Sequence, residues 1–367
     1  NSLIYTVAGA LPMASAIILL PFYVEGLSTA LFGKLSIFLA LSLFVQIIVT
    51  YSFDSSVYIH YHEYKDNRTK LANFVSSSFI LILIIGATTG LIAVVLGEFI
   101  LAQVFRIENI SFYPYGFASV VTGIMQSLFK VHSSLLQTRG KPEVFFFSNS
   151  LLFSLIVGLS IAGLVIYPET LVGPIGGRLV GVAVAGVWVL FRIFKEFGFR
   201  FDFAWLKESL SFNNYVFIYQ VEQWVVNYFD RILLVFFLPV ATVGVYDFGV
   251  KCLVVIELVM NGLHNSFLPK VVSVMVGNNE KQSEIEINKY YHGLIACVMI
   301  LVTICIFSFP LGIEWLMPDK GYRDVIPYIP FLAIMYLPRV MKIYFGVPYS
   351  AKKHTKPLPI IYLGEIG

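Results

Sequence analysis

Charged residues are scarce in this sequence. Lysine and arginine supply 25 of its 367 residues, aspartate and glutamate supply 22, and the charged share is only 13%. Soluble globular domains carry roughly 25%. Hydrophobic residues make up 58% of the chain. This composition argues against an ordinary soluble domain and favours a protein embedded in a membrane.

Residues that build metal sites and disulfide frameworks are also few. Cys252, Cys297 and Cys305 all fall within apolar stretches, where single thiols act as small hydrophobic side chains. The 6 histidines show no ligand spacing, and the sequence has no glycine-rich phosphate loop. We therefore expect neither a cofactor nor a bound metal. The net charge of +3 comes from the connections between apolar stretches and does not indicate nucleic-acid binding.

Long apolar runs fill most of the chain. Each is long enough for a helix that crosses a bilayer, which needs about 20 apolar residues. The runs cover residues 3–24, 31–53, 72–102, 112–138, 144–167, 171–194, 215–238, 243–268, 290–316 and 323–350. They predict an all-α protein that crosses the membrane repeatedly. The sequence begins at the edge of a run and stops within another apolar stretch, so we expect at least one further helix.

Lysine and arginine are concentrated in every second connection between the runs. The basic set contains Lys65, Arg68, Lys70, Arg139, Lys141, Arg192, Lys195, Arg200, Lys207, Lys270, Lys281, Lys289, Lys352, Lys353 and Lys356. The alternate set contains only Arg106, Lys320 and Arg323. Because basic connections stay on the cytoplasmic side of a membrane, the alternation predicts a cytoplasmic N-terminus.

The order of the runs predicts two lobes. The first six runs fill residues 1–197, an amphipathic cytoplasmic linker covers 198–210, and the runs at 211–367 form a second, incomplete lobe. The segments 28–33 and 241–246 occupy equivalent turns of the two lobes. Parallel repeats of this kind are common in secondary transporters, where the substrate site lies between the halves.

Polar side chains form a stripe along the fourth run. Its members are Thr122, Gln126, Lys130, Ser133 and Gln137, and their spacing of three or four residues places them on one helix face. A charge near the bilayer centre costs at least about 2.5–3.5 kcal/mol, and no acidic residue lies beside Lys130 in the sequence. We expect Lys130 to face a polar cavity. The alternative is that its side chain snorkels to the cytoplasmic surface.

A second polar group lies in the seventh and eighth runs. It comprises Gln220, Gln223, Asn227, Asp230, Arg231, Asp247, Lys251, Asn261 and Asn265. The four-residue spacing of Asp247 and Lys251 fits either a pair within one helix or a component of a site. Adjacent residues on a helix point about 100° apart, so Asp230 and Arg231 are not expected to pair directly. Arg231 is therefore a candidate for a substrate contact.

Small residues recur in the sixth run. Gly173, Gly177, Gly181 and Ala185 are four residues apart, which predicts a face for close helix packing. Arg178 lies beside this face, and it either snorkels outward or enters the cavity.

Charges inside the runs leave a positive excess. The basic residues are Lys34, Lys130, Arg178, Arg231, Lys251, Arg339 and Lys342, and the acidic ones are Asp54, Glu222, Asp230, Asp247 and Glu257. A cationic interior favours an anionic passenger, above all a phosphate or diphosphate, which arginine binds through paired donors.

Several segments carry a family resemblance. They are Leu31-Phe32-Gly33, Leu136-Gln137-Thr138-Arg139-Gly140-Lys141, Trp224 with Asn227-Tyr228-Phe229-Asp230-Arg231, and Val243-Gly244-Val245-Tyr246 followed by Lys251 and Pro269. With these segments in this order, the sequence resembles the polysaccharide transport family. This family comprises the O-antigen and lipid-linked oligosaccharide flippases of the multidrug/oligosaccharidyl-lipid/polysaccharide exporter superfamily. One departure is Ser211-Phe212-Asn213-Asn214, where family members often have a Gly-Pro-like turn.

The resemblance implies two pseudo-symmetric six-helix bundles, as in multidrug and toxin extrusion (MATE) transporters, working by alternating access. The passenger would be an undecaprenyl-diphosphate-linked oligosaccharide moved from the inner to the outer leaflet of the bacterial cytoplasmic membrane, alongside polysaccharide polymerase or ligase machinery. The expected substrate-binding cations are Lys34, Lys130, Arg178, Arg231 and Lys251. The expected polar lining is Gln126, Gln223, Asn227 and Asn261, and the possible coupling carboxylates are Asp54, Asp230 and Asp247.

Two other functions are compatible with parts of the pattern. A multidrug or toxin pump would use embedded carboxylates for proton or sodium coupling, and Asp54, Glu222, Asp230 and Asp247 keep that alternative open. A membrane enzyme would need a sizeable aqueous loop for its catalytic residues. The outward connections here are short, so we do not expect an enzyme.

Overall fold

The computed structural model describes residues 2–104, 110–276, 280–316 and 321–351. In these ranges every regular element is a helix, which confirms the predicted all-α class. Both chain ends lie outside the described residues, and so do the predicted loop cations Arg106, Lys320, Lys352, Lys353 and Lys356.

Eight helices span the first two thirds of the chain. They are α1 Ser2–Gly26, α2 Thr29–Thr50, α3 Phe53–Tyr64, α4 Arg68–Phe99, α5 Tyr115–Thr138, α6 Pro142–Ile166, α7 Gly177–Phe197 and α8 Phe203–Phe237. Short π-helical turns at Ile100–Val104 and Val172–Gly176 follow α4 and precede α7.

Five further helices and a 3₁₀ turn follow among the described residues. They are α9 Val240–Cys252, α10 Val254–Val276, α11 Glu280–Leu316, a 3₁₀ turn at Tyr322–Tyr328, α12 Ile329–Ile334 and α13 Tyr336–Ala351.

Several boundaries differ from those of the apolar runs. The second run breaks at Tyr51 and Ser52, which adopt left-handed backbone angles between α2 and α3. The eighth run divides at Leu253. The predicted linker at 198–210 is helical from Phe203 onward, because α8 begins there. Length and apolar character alone did not reveal these breaks and extensions.

Six helical segments among the described residues are long and apolar enough to cross a membrane. They are Thr29–Tyr64, Arg68–Ala102, Pro142–Ile166, Val172–Phe197, Ile285–Trp315 and Tyr322–Phe345. The other runs are also helical. Two of these helices, α5 and α8, are less apolar because they carry the polar stripes found in the sequence. The chain is a multi-pass membrane protein.

The chain divides into two compact units, Asn1–Gly244 and Val245–Gly367. In the first unit, α5 packs against α2, α3, α4 and α7, and α6 packs against α1 and α7. The small-residue face predicted in the sixth run lies against α6, because Cβ atoms added at Gly173 and Gly177 would overlap the α6 backbone at Leu164 and Leu159. This packing prediction is confirmed.

The second unit is organised around fully buried Tyr291. Its core combines side chains of α10, α11, α12 and α13. The Tyr344 hydroxyl donates to Asn288 Oδ1 at 2.9 Å and so links α13 to α11. Arg339 lies 3.7 Å from the Glu257 carboxylate, which links α13 to α10.

Within the first unit, α2 and the first turn of α9 cross at two glycines. A Cβ added to Gly33 would overlap the Val240 carbonyl oxygen, and one added to Gly244 would overlap the Thr29 carbonyl oxygen. The contact is reciprocal, with a glycine on each helix facing the backbone one turn earlier on the other. Each position therefore requires the absence of a side chain.

Substitution of Gly33 tests this crossing. Gly33→Ala should lower the midpoint of thermal unfolding in detergent by on the order of 5 °C, because its methyl group forces two backbones apart. Gly158→Ala is the matched control, since a Cβ added there has no atom within 4 Å. The control should unfold at or slightly above the wild-type midpoint. Equal midpoints for Gly33→Ala and wild type would contradict the close approach.

Candidate functional site

A polar cavity of about 350 Å³ opens among α1, α2, α3, α5, α6 and α7 of the first unit. We call it the Lys130 cavity. Its lining includes Ser15, Gln46, Asp54, Gln126, Lys130, Ser133, Ser134, Gln137, Asn149 and Arg178, together with apolar residues of α5 and α6. Polar atoms thus line a space inside a helical unit that is otherwise largely apolar.

The polar stripe predicted on the fourth run supplies one wall of this cavity. Gln126, Lys130, Ser133 and Gln137 all line it. The fifth member, Thr122, is buried, and its hydroxyl donates to the Ala118 carbonyl at 2.8 Å within α5. Helical spacing therefore identified the wall, whereas Thr122 contributes only to its own helix.

Lys130 is paired across the unit with an aspartate. Its Nζ lies 3.2 Å from Asp54 Oδ2 on α3, although the sequence showed no acidic neighbour. Gln220 on α8 donates to the same carboxylate from 3.4 Å. The Ser134 hydroxyl of α5 donates to the Asp54 backbone carbonyl at 2.6 Å. Three helices thus meet at Asp54, and Lys130 faces the cavity as predicted.

The kink between α2 and α3 positions Asp54. Tyr51 and Ser52 have φ angles of +43° and +58°, a region that residues other than glycine rarely adopt. The Tyr51 hydroxyl donates to the Asn214 side chain, and the Ser56 hydroxyl donates to Asn213 Oδ1 at 2.6 Å. These bonds fasten the kink and the start of α3 to α8. Asn213 and Asn214 are therefore anchors within the continuous helix α8.

A second opening of about 260 Å³ lies between α2, α5 and α8. We call it the α8 cleft. Gln220, Gln223 and Asn227 line it as the predicted stripe requires, and Gln46 and Lys130 border both this cleft and the Lys130 cavity. Trp224 holds α8 against α2, because its indole Nε1 donates to the Ala40 carbonyl at 2.9 Å.

Several buried polar atoms at these openings have no hydrogen-bond partner among the described residues. They are Gln126 Oε1, Gln220 Oε1 and Arg178 Nε. Buried polar atoms are normally satisfied, so two acceptors and one donor are available to a polar guest or to water. A passenger with hydroxyl groups and an anionic group matches this set.

Arg178 is a cation of the Lys130 cavity for which the described residues supply no carboxylate partner. It lines the Lys130 cavity from the start of α7. Among the described residues it has neither a carboxylate within 4 Å nor a hydrogen bond. Of the two alternatives, the structure therefore supports the one in which Arg178 enters the cavity.

Comparison with known proteins gives the family. A family model described as "Polysaccharide biosynthesis protein" matches residues 1–275. The chain belongs to this polysaccharide biosynthesis protein family. No curated protein sequence is significantly similar to it.

Solved MATE structures have the same fold as this chain. An inward-facing multidrug resistance MATE transporter of the MOP superfamily matches with a TM-score of 0.78 at 12% identity, over 98% of this chain and 84% of that one. An outward-facing MATE transporter matches with a TM-score of 0.60 at 11% identity, over 100% of this chain and 83% of that one. The predicted MATE-like, all-helical membrane fold is confirmed.

The expectation that Asp230 and Arg231 do not pair directly was wrong. Asp230 Oδ1 accepts from both the backbone N–H of Arg231 at 2.8 Å and the Arg231 guanidinium at 2.7 Å. The guanidinium also lies over the Tyr228 ring, 5.2 Å from its centroid. The argument from the 100° angle between adjacent residues failed because the long side chain of Arg231 folds back along the helix and reaches the carboxylate of Asp230. Arg231 is buried within this local network.

The remaining predicted site residues lie elsewhere. Lys251 pairs with buried Asp247 one turn away on α9, which supports the local-pair alternative. Asn261 is half-buried on α10 of the second unit. Lys34 is half-buried on α2, about 18 Å along that helix from Gln46 at 1.5 Å per residue. The Lys130 cavity does not contain these three residues.

Ion pairing accounts for most of the predicted embedded charges but does not change their excess. Lys130, Arg231, Lys251 and Arg339 each have a carboxylate within 4 Å. These four pairs use four of the five carboxylates, so the excess of positive charge is carried by the remaining embedded residues, which include Arg178. In the Lys130 cavity, Lys130 and Arg178 face one carboxylate, Asp54. The cavity therefore keeps a single positive charge in excess.

Four polar lining residues were not picked out from the sequence, namely Ser15, Gln46, Ser134 and Asn149. Gln46 interrupts an apolar run on α2, and Asn149 follows Ser148 on α6. Asn149 Nδ2 donates to Ser133 Oγ at 3.2 Å and to the Phe145 carbonyl at 2.8 Å. An isolated glutamine inside a span is a usable signal, whereas the Asn149 position looks like part of a polar helix entrance.

A double-mutant cycle measures the pair at the cavity. Asp54→Asn should destabilise the protein by about 1–3 kcal/mol, because it leaves Lys130 without its counter-charge. Adding Lys130→Gln should recover part of this loss, with a coupling of about 0.5–2 kcal/mol at this partly exposed site. Unfolding in detergent provides the readout. Glu63→Gln, which removes an exposed partner of His60, should change stability by less than about 0.5 kcal/mol. If the changes in unfolding free energy of the two single variants simply add in the double variant, Lys130 and Asp54 do not interact.

Proposed function

We propose that the protein is a flippase for a lipid-linked oligosaccharide, most simply an undecaprenyl-diphosphate-linked O-antigen, capsule or exopolysaccharide repeat unit. The observation that carries the proposal is the Lys130 cavity, where Gln126 Oε1 and Arg178 Nε lie buried with no hydrogen-bond partner in the part of the chain that the structure describes. Family membership and the transporter fold give independent support.

The chemistry of the passenger fits the lining. A glycan head cannot cross hydrocarbon without partners for its hydroxyl groups. The amides of Gln46, Gln126 and Asn149 and the hydroxyl groups of Ser133 and Ser134 offer such partners. The lipid tail needs no cavity, because it can stay in the bilayer while the head moves.

Arg178 and Lys130 have different parts in this proposal. Arg178 is unpaired at rest and presents a planar fork of donors that suits a diphosphate. Lys130 is held by Asp54 at rest. When an anion enters, Lys130 can exchange its carboxylate partner for a phosphate oxygen, and Asp54 is then left to take up a cation or a proton. Binding of the passenger would thereby change the contacts among α3, α5 and α8.

The same proposal includes the membrane, the orientation of the protein and the direction of transport. The protein would sit in the bacterial cytoplasmic membrane with its N-terminus in the cytoplasm, since basic connections stay inside. The passenger would load from the inner leaflet and leave from the outer one by alternating access. Polysaccharide polymerase or ligase machinery would take up the flipped unit.

Cation-coupled multidrug extrusion is the second candidate. It is favoured by the Asp54 carboxylate at the cavity and by the solved MATE structures with the same fold. A drug cation would have to replace Lys130 at Asp54, next to the unpaired positive charge of Arg178. That repulsion is the reason we prefer an anionic passenger.

Transport by an Arg178 variant tests the preferred function. The protein is reconstituted into vesicles that contain a fluorescent undecaprenyl-diphosphate oligosaccharide, and the initial rate of flipping is measured. Arg178→Gln should lower the rate by about ten-fold or more, the loss expected when one charged hydrogen-bond donor to the passenger is removed. Arg192→Gln, on the exposed side of α7 where Arg192 lies over Trp188, should keep the wild-type rate. Equal rates for Arg178→Gln and wild type would refute the cationic role.

Growth assays separate the two candidate functions. The protein should restore surface polysaccharide in a strain that lacks its flippase, and it should leave drug tolerance unchanged in a host without multidrug pumps. The reverse pattern would favour the extrusion pump.

A further inference from the structure

A second polar pocket lies at the basic end of the first unit. It encloses about 310 Å³ and is lined by Tyr61, Arg68, Leu71, Ala72, Arg139, Lys141, Glu196 and Phe197. It shares no residue with the Lys130 cavity. The proposed transport of an oligosaccharide makes no use of it.

Three connections predicted to be basic meet at this pocket. Arg68 begins α4, Arg139 and Lys141 lie between α5 and α6, and Glu196 is in the last turn of α7. Gly140 allows the tight turn between the two basic residues, because its φ of +65° is unfavourable for other residues. Their convergence at one end of the unit agrees with the alternation of basic and bare connections.

One of the three cations is already neutralised. The Arg139 guanidinium makes two contacts with the Glu196 carboxylate, NH1 to Oε2 at 3.1 Å and NH2 to Oε1 at 2.9 Å. It also lies 5.1 Å from the centroid of the Phe197 ring. This pair fixes the wall of the pocket and uses up its only carboxylate.

Arg68 and Lys141 keep their charges available. Both are exposed, and neither has an ion pair or a side-chain hydrogen bond within the part of the chain that the structure describes. The helices α4 and α6 begin beside them at Arg68 and Pro142, so the positive ends of two helix dipoles lie at the same pocket. Two free cations and two helix starts beside one cavity favour a phosphate group, whose unbridged oxygens share its negative charge.

The depth of the pocket identifies the source of that anion. Candidate membrane spans begin at Arg68 and Pro142 and end at Tyr64 and Phe197. The pocket therefore lies at the ends of candidate spans, and the end of a membrane-crossing helix is where lipid headgroups are met. Its inner wall of Leu71, Ala72 and Phe197 is buried and apolar, which suits the glycerol backbone of a lipid. Basic pockets between membrane helices bind phosphate-bearing headgroups of anionic lipids.

We propose that this pocket binds the headgroup phosphate of an anionic membrane lipid, with Arg68 and Lys141 as its ligands and Arg139 as a supporting cation. The shared chemistry is a phosphate group, and the lipid rather than free phosphate is its source. A lipid bound there ties the starts of α4 and α6 to the end of α7 and stabilises the first unit.

Lipid-dependent stability tests the proposal. The purified full chain in detergent is titrated with phosphatidylglycerol, and the unfolding temperature is recorded at each lipid concentration. The wild type should be stabilised. The double variant Arg68→Gln/Lys141→Gln should need about ten-fold more lipid for the same stabilisation, as expected when charged contacts to a phosphate are lost.

A matched control removes two positive charges from the basic end of the first unit but outside the pocket. Lys65→Gln/Arg200→Gln loses two exposed basic residues that do not line the pocket, and it should titrate like the wild type. Arg68→Lys/Lys141→Arg should also retain the response. If the double glutamine variant fails to fold, the single variants Arg68→Gln and Lys141→Gln take its place, each with a smaller shift.

Other results would overturn the proposal. Equal titrations in the pocket variant and the control would show that the charge of the whole surface, and not the pocket, attracts the lipid. Equal stabilisation by phosphatidylcholine would remove the need for an anionic lipid. Full stabilisation by inorganic phosphate, with no further effect of phosphatidylglycerol, would assign the pocket to a free anion.

Discussion

A charge placed among membrane-crossing helices must meet a counter-charge or a wet space, and Lys130 meets both. Its ammonium group reaches Asp54 on α3 and borders the polar cavity, while Gln220 brings α8 to the same carboxylate. The arrangement of α3, α5 and α8 depends on this junction. Because the desolvation of an ion pair is nearly offset by its attraction, the junction is held at modest net stability, which suits helices that must part during transport.

The remaining polar groups of the first unit follow from that junction. The kink at Tyr51 and Ser52 turns α3 so that Asp54 faces Lys130, and Asn213 and Asn214 hold the kink against α8. Around the pair lie glutamine and arginine atoms to which the described residues supply no hydrogen bond. A helical unit that keeps buried donors and acceptors unfilled is stable only with water or a polar guest in place. That requirement connects the folding of this unit to the passenger we propose.

Local spacing predicted the features that belong to single helices. The wall formed by Gln126, Lys130, Ser133 and Gln137 and the small-residue face of α7 could both be derived from the sequence, because each depends only on helical periodicity. The Lys130–Asp54 pair could not, since its residues lie on different helices and the intervening kink has no glycine to mark it. The Asp230–Arg231 contact was missed for another reason, because the reach of a long side chain outweighs the direction of its Cβ.

Access of the passenger to Gln126 tests the central claim most directly. Gln126→Cys is placed in a chain whose three native cysteines are replaced by alanine, and its labelling by a charged water-soluble thiol reagent is timed in membrane vesicles. We predict that the thiol reacts and that the lipid-linked oligosaccharide slows the reaction at least several-fold. Lys65→Cys, at the exposed end of α3, should react at a rate that the oligosaccharide does not change. An unaltered rate at Gln126→Cys with saturating passenger would contradict the account.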